Sequence, residues 1–173
     1  MERYKIGISS CLLGQNVRYD GGHRYDPKLI EALGHCCEWV PVCPEVEYGL
    51  STPREAMRLT GNPKAPRLVV IATGIDHTEG MLAWATGRLA ALREDNLCGF
   101  IFKSRSPSSG MAGVKVYDRV GNVTGTSAGL FAAALMRTFP DLPVEEDERL
   151  HDRAAREAFL ARASAYRRGK VTR

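Results

Sequence analysis

Four short apolar runs, at residues 5–9, 39–42, 68–73 and 99–103, are separated by stretches whose apolar residues recur every three to four positions. Strand alternating with helix is the order that builds α/β folds, because parallel strands need a long crossover, usually a helix, to re-enter the sheet in the same direction. Runs this short and this apolar suit strands covered on both faces. A weaker run at residues 142–145 supplies a fifth. The expected fold class is α/β: an open, mainly parallel sheet of about five strands with helices on both faces, Rossmann-like in arrangement.

The helical stretches carry their own punctuation. Asp26-Pro27 reads as a helix start, an N-cap acid followed by proline at the first helical position. Leu29, Ile30 and Leu33 then share a face, and Gly34 can stop the helix. A longer helix is expected over residues 78–93, with Met81, Leu82, Ala85, Leu89 and Leu92 as its buried stripe. Residues 127–138 are almost wholly apolar and predict a buried helix, and an amphipathic helix begins near Glu148. Residues 44–66 and 104–125 lack a clear period and read as long loops, which in a compact domain are usually functional. Within the second, Val114–Tyr117 and Val123 predict a small hairpin about Arg119-Val120-Gly121-Asn122.

A chain of 173 residues, 44% apolar and 25% charged, fits one globular domain with a full core and argues against disorder. The expected organisation is an α/β domain over residues 1–147 and a basic helical tail over 148–173. The net charge is +4, and much of it lies in Arg153, Arg156, Arg162, Arg167, Arg168, Lys170 and Arg173. Such a tail fits nucleic acid or a solvated helix face, and composition favours the second. No apolar run reaches the length of a membrane span, and the start leads into a strand without a signal-peptide region, so a cytoplasmic protein is expected. Five cysteines, an odd number with no Cys-x-x-Cys pair, argue against a disulfide framework, a zinc ribbon and a thioredoxin-like motif.

In an open parallel sheet, ligands bind beyond the carboxyl ends of the strands. Polar residues cluster there. The first strand runs into Ser9-Ser10-Cys11, the second into Cys43-Pro44-Glu45, and the fourth into Lys103-Ser104-Arg105-Ser106-Pro107-Ser108-Ser109-Gly110. If the sheet is parallel, the three segments emerge on one edge. Taken singly, Cys11 and Cys43 also fit small buried hydrophobes. Glu45 fits a surface carboxylate or, beside thiolates, a proton donor or base. The serine loop fits a turn, or a cradle for an anion or polar ring built from Ser108 and its neighbours, with Gly110 permitting close approach. Cys36, Cys37 and Cys98 fall at the other end of the strands and read as structural.

Together these motifs resemble the thiouracil desulfidases, a family long catalogued as a domain of unknown function. The resemblance rests on Ile8-Ser9-Ser10-Cys11-Leu12-Leu13-Gly14, Val17-Arg18-Tyr19-Asp20-Gly21-Gly22, Pro41-Val42-Cys43-Pro44-Glu45, Gly49-Leu50, Pro53-Arg54 and Lys103-Ser104-Arg105-Ser106-Pro107-Ser108. It implies desulfurisation of thiolated pyrimidines by a [4Fe-4S] cluster held by three cysteines, with one iron left open to the substrate sulfur. By position, Cys11 and Cys43 are cluster ligands, Glu45 is the acid/base group and Ser106 the assisting hydroxyl, while Ser10, Lys103, Ser108 and Gly110 face the substrate or an anion. The third cysteine of the family's Ser-Pro-Ser-Cys-Gly motif is replaced here by Ser109, a harder and far less acidic donor than thiolate. The departure leaves open a cluster-free, non-enzymatic module that binds a nucleobase or anion. Leu142-Pro143-Val144-Glu145-Glu146 and Arg149-Leu150-His151-Asp152 resemble the junction to a second domain in longer relatives, some of which are similar to enzymes that desulfurise thiouridine in tRNA. A missing C-terminal domain and a tRNA partner are thus further expectations.

Overall fold

The computed structural model describes residues 3–171; Arg173 of the basic stretch lies outside them. In chain order the elements are β1 (Tyr4–Ser9), α1 (Pro27–Gly34), β2 (Cys37–Val42), α2 (Pro44–Tyr48), β3 (Met57–Asn62), β4 (Ala65–Val70), α3 (Thr78–Glu94), β5 (Gly99–Phe102), β6 (Val114–Tyr117), β7 (Val123–Ser127), α4 (Leu130–Thr138), β8 (Val144–Glu146) and α5 (Arg153–Val171). Short 3-10 turns occupy Ser10–Leu13 and Arg149–His151.

The α/β expectation holds. One sheet has the order β2-β1-β5-β8, and every neighbouring pair in it is parallel. Side chains alternate across the strands, as their period of two requires. Ile6, Ile8 and Ile101 face α1 and α5 through Leu29, Leu33, Phe159 and Ala163. Phe100 and Phe102 face α3 and α4 through Ala85, Leu89, Leu92, Phe131 and Leu135. Gly7 makes room for this second layer: a Cβ there would lie 2.2 Å from the Phe100 ring. The helix starts are chemically ordinary, with Asp26 Oδ1 accepting the Leu29 N–H at 3.0 Å to cap α1.

The parallel sheet has four strands, because the run at residues 68–73 does not join it. That run contributes to β4, which forms a hairpin with β3 and belongs to a second sheet of order β4-β3-β6-β7. The physical reason lies in burial. Leu68 and Val70 point inward, but Ile71 is 51% exposed, so the segment is covered on one side only, as an antiparallel strand can be. Its partner β3, Met57-Arg58-Leu59-Thr60-Gly61-Asn62, sits inside a stretch expected to be loop; alternate polar residues hide it. The β6–β7 hairpin forms as expected, turning between Tyr117 and Val123. Leu59, Leu68, Val114 and Val116 of this second sheet pack on Met81 and Leu130.

The two C-terminal helix starts shift. The apolar helix begins at Leu130 rather than residue 127, because residues 123–127 pair with β6. The last helix begins at Arg153, after the turn at Arg149–His151. Its Phe159 and Ala163 are fully buried against the parallel sheet, so this helix is part of the same packed body. No helix among the described residues is long and apolar enough to cross a membrane.

Candidate functional site

Parallel pairing carries the ends of β1, β2 and β5 to one edge. Ser9 ties two of them together, its Oγ accepting the Lys103 N–H at 2.9 Å. Just beyond lies a cleft of about 500 Å³, within the usual size of a small-molecule site. Cys11 enters it from the 3-10 turn after β1, and Cys43 from the residue that precedes α2. Ser106, Ser108 and Ser109 line it from the loop after β5, and Ser10 and Lys103 complete the strand-end contribution. Gly110 does not line the cleft. It packs behind the loop, its N–H donating to the Ser106 carbonyl at 2.8 Å, and a Cβ would meet Val114 at 2.4 Å.

Glu45, on the first turn of α2, is held from two sides. Arg54 donates to Oε2 from Nε at 2.9 Å and from Nη2 at 2.5 Å. Ser108 donates its hydroxyl to Oε1 at 3.1 Å. Ser106 and Ser108 hydroxyls lie 3.2 Å apart, and Ser106 Oγ accepts the Ser109 N–H at 3.1 Å. A hydroxyl chain therefore leads from Ser106 through Ser108 to the carboxylate. Lys103, on the wall of the cleft, pairs with Asp147, with Nζ 2.6 Å from Oδ2 and 3.0 Å from Ser104 Oγ. Asp147 Oδ1 also accepts the Ser104 N–H at 2.8 Å. Arg54 and Asp147 carry no chemical motif of their own, although Pro53-Arg54 falls within the resembling segment.

Burial pushes Cys11 up to about 11, opposed in part by the Lys103 and Arg18 charges, and burial likewise raises Cys43. Arg18 also lines the cleft; its buried Nε makes no hydrogen bond among the described residues and lies 3.5 Å from Asp20 Oδ1, an ion pair. Two soft donors and a supply of positive charge suit an iron–sulfur cluster. The third position does not, because Ser109 offers a hydroxyl, and among the described residues no group of three or more His, Cys, Asp or Glu side chains is placed to hold a metal. The residues present thus fall short of a three-thiolate site. Cys36, Cys37 and Cys98 are elsewhere, at the opposite end of the sheet in the layer with α1 and α5; Cys36 and Cys37 sulfurs lie 3.8 Å apart there.

A family model described as 2-thiouracil desulfurase matches residues 6–147. An uncharacterized protein of Bacillus subtilis (strain 168), YbbK, is 36% identical over 110 residues, which cover 61% of this chain and 72% of that protein. Among solved structures, a [4Fe-4S]-dependent thiouracil desulfidase, TudS, superposes with a TM-score of 0.68 at 28% identity, covering 90% of this chain and 99% of its own. The match to the family runs from β1 to the Asp147 that anchors the serine loop, so the chain belongs to the 2-thiouracil desulfurase family.

Proposed function

We propose that this protein is a desulfidase that converts a thiolated pyrimidine, thiouracil or thiouridine, free or in tRNA, to its oxo form. One observation carries the reading: Cys11, Cys43 and the Ser106–Ser108–Glu45 chain share the cleft at the carboxyl edge of the parallel sheet. The reaction is redox-neutral. Water's oxygen bonds to the ring carbon, the carbon–sulfur bond breaks, and sulfur leaves as hydrosulfide. Glu45, oriented by Arg54, takes the proton of the attacking water, and the serine hydroxyls pass protons between it and the ring. Cys11 and Cys43 are the thiolate ligands this chain offers to a [4Fe-4S] cluster, with Ser109 in the third place.

One feature favours a second reading, a cluster-free module that binds a nucleobase or anion: the hydroxyl at position 109 in place of a third thiolate. Anaerobic reconstitution with iron and sulfide separates the two. The enzyme reading expects iron, acid-labile sulfide and uracil formed from 2-thiouracil. A protein that binds uracil yet gains neither cluster nor turnover is the module. For tRNA the support is the resemblance to longer relatives and the basic residues of α5. Binding should weaken from low to high salt as phosphate contacts release counterions; salt-independent binding would reject that account.

A further inference from the structure

At the end of the parallel sheet far from the cleft, two thiols converge. Cys36 lies in the turn after α1 and Cys37 opens β2, and their sulfurs are 3.8 Å apart. Cys37 is 2% exposed, whereas Cys36 is partly exposed and opens the pair to solvent. The peptide between them is trans, which sets their Cα atoms about 3.8 Å apart. A relaxed disulfide spans roughly 4.4–6.8 Å between Cα atoms, so the pair is poorly placed to close on itself. The sulfur spacing fits another bond: two thiolates on one tetrahedral zinc ion, each at about 2.3 Å, stand about 3.8 Å apart. The surroundings favour a cation as well. The Leu33 carbonyl, at the end of α1, accepts both the Cys36 N–H at 3.0 Å and the Cys36 thiol at 3.3 Å, and the carbonyl end of a helix attracts positive charge. Burial pushes the Cys37 thiol up, and the neighbouring Cys36 and Cys98 thiols push it further. At Cys11 the Lys103 and Arg18 charges oppose burial; at Cys37 every influence acts the same way, so a thiolate pair there needs a cation from outside.

We propose that Cys36 and Cys37 chelate a soft divalent cation of the zinc class, with two thiolates from the chain and water in the remaining positions. Binding exchanges protons for metal: each S–H gives its proton to solvent, two sulfur–metal bonds form, and no electron is transferred. Among the described residues no third His, Cys, Asp or Glu is placed to join the pair. The site is therefore open-sided and loads reversibly, unlike a structural zinc site closed by four protein ligands. It lies at the opposite end of β1 and β2 from Cys11 and Cys43, so it stands apart from the reaction in the cleft.

The test is a cadmium titration of the full, reduced, iron-free chain under anaerobic conditions. Cadmium stands in for zinc because its bonds to thiolate absorb in the ultraviolet. Cys36→Ser should lose one equivalent of bound cadmium together with its share of that absorbance, and without metal it should melt where the parent does. Cys43→Ser, in the cleft, should keep that equivalent. On the parent chain, cadmium should block alkylation of Cys36 by iodoacetamide, a readout that needs no variant to fold. Equal cadmium content in the parent and Cys36→Ser overturns the proposal, and so does alkylation of Cys36 that cadmium leaves untouched. A pair that closes to a disulfide with glutathione disulfide and binds no cadmium is a redox pair, which overturns it too.

Discussion

Arg54 holds Glu45 through two bonds to a single carboxylate oxygen, Oε2, leaving Oε1 to Ser108. Both side chains are largely buried, Arg54 8% and Glu45 13% exposed. Removing one partner strands the other charge, which costs about 3–5 kcal/mol for a buried pair. Arg54→Ala should therefore lower the urea midpoint sharply. Arg54→Ala combined with Glu45→Gln should cost less than the two single changes summed, since each single change already breaks the pair. Simple additivity in that cycle would mean that the pair does not act as a unit.

A second pair sets an acid limit. Burial alone would raise the Asp147 carboxyl, but the Lys103 ammonium and the Ser104 N–H more than offset it, and the group sits below the ordinary carboxylate range. The folded state thus binds the proton less tightly than the unfolded chain. The resulting stability is fully present above the unfolded value of about 4, and it is lost as pH falls through the lower folded value. Asp147→Asn should be less stable than the parent at pH 7, and the gap should narrow steadily below about pH 4. Urea titrations across that range check it; a gap that widens in acid reverses the assignment.

These pairs also mark where sequence reading stops. Cys11, Cys43 and the serine loop meet at one edge because each follows a short apolar strand, and parallel strands of one sheet end on one edge. Nothing in the local sequence joins Lys103 to an acid 44 positions away, or turns Arg54 back onto Glu45. The run at 68–73 is as apolar as a central strand, and only its exposed Ile71 and polar partner β3 reveal a one-sided hairpin. Gly110 looks like a residue that opens a loop to a ligand, yet it closes the loop on itself. The strand-end edge was legible from periodicity; the polar pairs that brace it depend on tertiary folding.

Gly129 fixes where the serine loop sits. Its backbone, at φ −61° and ψ 154°, suits any residue, so the constraint is space. A Cβ would lie 2.5 Å from the Ser108 carbonyl carbon and 2.7 Å from the Ser109 nitrogen. The start of α4 docks there, with Phe131 N–H donating to the Ser108 carbonyl at 2.9 Å and Gly129 N–H to the Gly110 carbonyl at 2.8 Å. Gly129→Ala should cost about 1–3 kcal/mol by overpacking and should displace Ser108 from Glu45, weakening pyrimidine binding. Gly87→Ala is the contrasting change, in the interior of α3 with nothing within 4 Å of the new methyl. It should stabilise by about 0.5–1 kcal/mol and leave binding unchanged. Thermal melts and base titration of both variants test the pair together.

Ser109 decides between enzyme and binding module. It is 4% exposed, on the same cleft as Cys11 and Cys43, with its backbone N–H held by Ser106 Oγ. A cysteine at this position occupies nearly the same volume and replaces a hard, weakly acidic hydroxyl with the soft, readily deprotonated donor that iron–sulfur clusters use. Ser109→Cys should raise the yield of a stable cluster on anaerobic reconstitution and should raise uracil formation from 2-thiouracil. Cys98→Ser should change neither, because Cys98 lies in the core layer at the far end of β5. Iron content, absorbance and product formation are measured on parent and variants side by side. If Ser109→Cys gains no cluster and no turnover, more than one ligand separates this chain from the desulfidases, and the binding module is its function. If the parent already carries a full cluster and turns over, the hydroxyl at position 109 suffices as the third donor, and the Ser109→Cys gain should vanish.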